Sequence, residues 1–88
     1  MKIKKSKNIS IQKISDSLFI LNHETGKYLE LNESGMELWD SFKDKTDLEM
    51  LTNFLSNKYN IQIDKAHEDA SEFIEVGLEN KIFELTSS

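Results

Sequence analysis

The chain has 88 residues, 38% hydrophobic and 31% charged, with no cysteine and no proline. This is the length of one small domain with a single core, and the missing thiols exclude a disulfide framework, a zinc ribbon, an iron–sulfur site and a thiolate nucleophile. The net charge of −5 is unevenly spread: residues 1–14 hold five lysines and no acid, the remainder sets six lysines against all sixteen acids, and there is no arginine, so the body repels nucleic acid, which is bound through Lys and Arg on phosphates.

Residues 1–7 read as a basic flexible arm ahead of a single domain spanning 8–88. The arm leads into no apolar segment of signal-peptide length, and the longest apolar run, residues 18–21, is far too short to cross a bilayer. The expectation is a cytoplasmic protein with no membrane partner, in which the Asn-x-Ser matches at Asn8 and Asn32 have no glycosylation context. Ile9, Ile11 and Ile14 mark a first strand, 18–21 a second, and 28–31 a third, with Leu29 and Leu31 on one face and Tyr28 and Glu30 on the other. Gly26 supplies the positive φ needed in the turn between the last two strands.

At Asn32 the apolar period lengthens from about 2 to about 3.6. Asn32 is a good N-cap, with Leu31 placed to staple onto Met36, for a helix over 33–42 whose Met36, Leu38, Trp39 and Phe42 face the core, with Trp39 at its centre. Thr46 and Glu49 form a capping box for a second helix buried through Leu48, Leu51, Phe54, Leu55 and Tyr59. Ile61 and Ile63 then make a short extended link, and Asp64 caps a third helix running to about Asn80. Its apolar side is Ala66, Ala70, Phe73, Ile74, Gly77 and Leu78; the rest is acidic. Ile82, Phe83 and Leu85 return the C-terminus to the body. The fold class is therefore α+β, a three-stranded antiparallel meander followed by three helices.

Asp64, His67 and Ser71 share one face of the third helix, but parallel side chains on an exposed helix neither enclose a substrate nor form an oxyanion hole. His23 is the other imidazole and lies in a distant turn, so no metal site is expected. Gly26, Gly35 and Gly77 are isolated and make no phosphate loop. No catalytic residue, cofactor or metal is expected, and the chain reads as a non-enzyme.

What remains is a binding geometry. A meander has two edges whose unpaired N–H and C=O groups an extended peptide can complete as a fourth strand. The third strand (Lys27, Tyr28, Leu29, Glu30, Leu31) is the expected docking edge, and the third helix laid beside it forms a groove in which Ala66, Ala70, Phe73, Ile74 and Gly77 receive peptide side chains. Gly77 indicates close approach by another group, a peptide or a neighbour within the fold. Asp69 and Glu72 add selectivity for a basic residue.

The run Thr25, Gly26, Lys27, Tyr28, Leu29, Glu30, Leu31, Asn32, followed by Gly35, Leu38 and Trp39, resembles the PqqD-like family. The likeness covers residues 17–84. Thr46 opens the second helix and Tyr59 closes it as in that family, and Asp69, Phe73, Ile74, Ile82 and Phe83 resemble its third-helix and C-terminal pattern. Three positions differ: Asp44 stands where a turn Gly is common, Gly77 where a Leu is usual, and Lys81 where a Gly normally precedes the last apolar pair. The resemblance implies a winged helix-turn-helix-like recognition element for ribosomally made, post-translationally modified peptides. Such an element holds the leader of a precursor peptide between the third strand and third helix, and delivers it to a modifying enzyme such as a radical SAM protein or a leader peptidase. Alternatives are a winged-helix adaptor for another protein, or a transcription factor. The latter needs a basic recognition helix, whereas the third helix carries six acids against Lys65.

Overall fold

The computed structural model describes residues 2–86. In chain order it comprises β1 (Lys2–Lys5), β2 (Ile9–Ile14), β3 (Ser17–Asn22), β4 (Tyr28–Leu31), α1 (Glu33–Asp40), β5 (Lys45–Thr46), α2 (Leu48–Tyr59), α3 (Ile63–Glu79) and β6 (Phe83–Thr86). The strands form two antiparallel sheets, ordered β2-β3-β4 and β5-β1-β6. The first is the expected meander. Its inner face carries Ile20, fully buried, with Leu29 and Leu31. Its outer face carries Leu21 and Tyr28, paired across the strands and exposed.

The second sheet corrects the reading of the N-terminus. Residues 2–5, expected within a free basic arm, form the central strand between β5 and β6, and Ile3 is buried in the core. The strand's lysines obscured its pattern, but one of them has a structural task. Lys5 Nζ donates to the carbonyls of Trp39 in the last turn of α1 (2.9 Å) and of Phe42 just past it (2.8 Å), and lies 4.1 Å from the centroid of the Trp39 ring. It thereby meets both the orphan carbonyls of a helix end and an aromatic face. Burial lowers its pKa from that of an ordinary lysine, against the opposing pull of Asp40.

The helix ends differ in detail from expectation. Asn32 caps α1, its Oδ1 accepting from the Gly35 N–H at 3.1 Å. The Ser41 hydroxyl and amide both donate to the Leu38 carbonyl, closing the helix at Asp40 rather than Phe42. The N-cap of α2 is Asp47, which accepts from the Met50 N–H, because Thr46 is committed to pairing with Ile3 in β5. α3 starts at Ile63, so Gln62 holds the cap position and Asp64 lies in the first turn, where its charge still suits the helix dipole.

The core centres on Phe83 rather than Trp39. The Phe83 ring stacks on Trp39 (5.8 Å between centroids) and meets Phe42 (5.9 Å) and Phe73 (5.2 Å) at an angle. Ile82 is also fully buried, whereas Leu85 is exposed. The turn delivering Phe83 follows a Schellman pattern: the Ile82 N–H bonds to the Gly77 carbonyl and the Lys81 N–H to that of Leu78, with Lys81 at φ +59°. A side chain pays for the left-handed region that glycine enters freely. Lys81→Gly is therefore expected to raise stability by about 0.5–1 kcal/mol, read as a higher urea midpoint at unchanged m-value; a lower midpoint would refute the strain.

Candidate peptide-binding site

β4 is an edge strand, and the register determines which of its amides are free. Asn22 N–H donates to the Lys27 carbonyl at 2.8 Å, making that pair a hydrogen-bonded one. Antiparallel pairs alternate, so Leu29 bonds to Ile20 and Leu31 to Leu18, while Tyr28 and Glu30 turn their N–H and C=O groups outward. The hairpin leading into β4 is built by its own residues. Asn22 Oδ1 accepts from the N–H groups of Glu24 and Thr25, and Gly26 adopts φ +76°. Asn22 Nδ2 donates 2.6 Å to the Lys81 carbonyl, tying this turn to the end of α3.

Facing that edge is α3. Lys27 Nζ donates to the Glu79 carbonyl at 3.3 Å, joining the start of β4 to the last turn of the helix. Between strand and helix lies an open groove of about 750 Å³. Leu29, Leu31, Gly35, Leu38, Leu55, Phe73 and Val76 line it with apolar surface; Asn32 and Ser34 border it at the start of α1, and Tyr59 and Ile61 come from the α2–α3 junction. Leu31 packs on Gly35, where an added Cβ would come within 3.1 Å of its side chain.

The groove contains only part of the residue set expected from sequence. Leu29, Glu30, Leu31, Asp69 and Phe73 line it, as does Glu72. Lys27 is tied to α3 at its end, and the Tyr28 side chain projects from the outer sheet face, 62% exposed, although its backbone belongs to the free edge. Ala66 and Ala70 do not line the groove: both are fully buried in the core. Gly77 is covered by Phe83, and Ile74 is half-buried against the core. The groove face of α3 is instead Lys65, Asp69, Glu72, Phe73 and Val76. It is offset by one residue, about 100° of helix rotation, from the face chosen by hydrophobicity. Phe73 alone serves both faces. Sequence reasoning thus missed Lys65 and Val76, and also Tyr59 and Ile61, whose apolar bulk beside a helix end was the available signal.

Lys65 Nζ pairs with Asp69 at 3.1 Å, and this bond, reinforced by the charges of Asp69, Glu68 and Glu72, raises its pKa above that of an ordinary lysine. Among the described residues no group of three or more His, Asp or Glu side chains is placed to hold a metal ion, and no helix is long and apolar enough to cross a membrane.

An open-edged meander facing a helix across an apolar groove defines a small α+β domain whose site suits an extended segment of polypeptide. The sequence matches the family described as coenzyme PQQ synthesis protein D over residues 17–82, and the chain belongs to that family. No curated protein matches it. Among solved structures, it is similar to TbiB1 in complex with the TbiA(beta) leader peptide, with a TM-score of 0.78, 19% identity, and coverage of 97% of this chain and 99% of that one. It is also similar to lasso peptide synthetase B1 complexed with its leader peptide, with a TM-score of 0.74, 17% identity, and coverage of 94% and 98%. At these identities the likeness is one of fold.

Proposed function

We propose that this chain is a non-catalytic recognition element. It takes the leader of a ribosomally made precursor peptide as a fourth strand on β4 and presents it to a modifying enzyme, such as a radical SAM protein or a leader peptidase. The observation that carries this reading is the outward pair of Tyr28 and Glu30 backbone groups beside an apolar groove walled by α3. Strand addition supplies affinity through main-chain hydrogen bonds, and the groove reads alternate side chains. Membership of the PqqD family supports the reading, as do two neighbours of the same fold that were solved with leader peptides.

The test is an NMR titration of the isotopically labelled chain with the leader encoded beside its gene. Saturable amide shifts are expected in 28–31 and on the groove face of α3, Lys65 to Val76, with little change at β6. Saturable shifts centred on another surface, or none at millimolar peptide, would overturn it.

A further inference from the structure

The leader-binding reading leaves open what kind of leader the groove prefers, and the charges on its helical wall bear on that. The charged residues of α3 that line the groove are Lys65, Asp69 and Glu72. Lys65 is already satisfied by Asp69, while Glu72 has no hydrogen bond or ion pair among the described residues. α3 as a whole holds six carboxylates against that one lysine, so the potential along the wall is negative.

Resting on that reading, we infer that the groove selects a leader segment with apolar side chains at alternate, α3-facing positions and one lysine or arginine among them, and that Glu72 is the residue selecting the cation. A strand added to β4 turns every second side chain toward α3. Phe73 adjoins Glu72, and Val76 lies one helical turn beyond it on the same face. A lysine or arginine entering there lays its methylene stem on Phe73 and Val76 and brings its charge to the Glu72 carboxylate. A glutamate at the same position meets the like charge of Glu72, while Lys65 is engaged by Asp69. Asp69, committed to Lys65, contributes less.

The experiment is selection of a randomised peptide display library of about twelve residues on the intact chain, repeated with Glu72→Gln, Glu72→Lys and, as a distant control, Glu49→Gln. The expected result is enrichment of alternating apolar residues with a Lys or Arg in register. Replacing that cation by Gln in a selected peptide should weaken binding about threefold to tenfold at low salt, less at high salt. Glu72→Gln should abolish the difference, Glu72→Lys should turn the preference toward Asp or Glu, and Glu49→Gln should leave it unchanged. Groove-bound peptides with no charge preference, or a preference indifferent to Glu72, would overturn this inference and leave the leader-binding reading standing. Selected peptides whose binding is insensitive to substitution in the β4 edge would instead overturn that reading.

Discussion

Proline at position 30 should yield a folded domain that has lost its peptide, whereas proline at position 29, one residue earlier, should yield an unfolded one. The Glu30 amide points away from β3 toward the free edge, so Glu30→Pro removes no bond from the sheet, and edge strands tolerate proline when the lost N–H faced outward. The preceding Leu29 already has the extended backbone that a following proline demands. A leader strand pairing there would find no donor, and its carbonyl would be left unpaired at a cost of about 1–3 kcal/mol, or about fivefold to 150-fold in affinity. Leu29→Pro instead removes the donor to Ile20, whose surroundings are fully buried, at a cost of about 3 kcal/mol or more. Circular dichroism separates the two variants, and peptide titration against Glu30→Gln separates loss of the amide from loss of the charge. A folded Glu30→Pro variant with undiminished binding would show that the leader does not extend this sheet.

Gly77→Ala should be strongly destabilising, although alanine is the better helix former. An added Cβ would stand 2.1 Å from Cδ2 and 2.4 Å from Cε2 of Phe83. That ring has no room to yield, being held by Trp39, Phe42 and Phe73 on its other sides. Alanine regains about 1 kcal/mol of helix propensity, but overpacking a dense core costs about 1–3 kcal/mol and more for so close an overlap. The net expectation is a loss of about 2 kcal/mol, lowering Tm by about 10 °C. Phe83→Leu, which costs stability by itself, should cost less or become favourable in the Gly77→Ala background, giving a coupling of the kind seen between contacting residues. An unchanged or raised Tm for Gly77→Ala would mean that propensity outweighs packing. The same contact fixes how α3 is rotated, so the double variant should also alter which residues of that helix line the groove, detectable as weakened leader binding.

Much of the fold was legible because the controlling interactions are local. The meander follows from the apolar run at 18–21 and the alternation at 28–31 with a glycine turn between, and α1 from Asn32 and its own hydrogen bond to Gly35. That β4 is an edge strand was legible for the same reason, since consecutive hairpins leave β2 and β4 outermost. The second sheet was not. β1, β5 and β6 come from the beginning, middle and end of the chain, and β1 places only Ile3 in the core, so its strand period is invisible beneath lysines.

The groove face of α3 shows the boundary most clearly. Amphipathicity along Ala66, Ala70, Phe73 and Gly77 locates the side that must leave water, and it does so here: these residues are buried against α2 and Phe83. It cannot locate a face that is apolar in part and open in part, such as Lys65, Asp69, Glu72, Phe73 and Val76. The sequence by itself determined the secondary structure around the site, the acidic charge of its helix and the identity of the edge strand. Tertiary structure alone decided the amide parity of β4 and the rotation of α3. The first depends on register across a hairpin, and the second on how Phe83, from the far end of the chain, packs into the space left at Gly77.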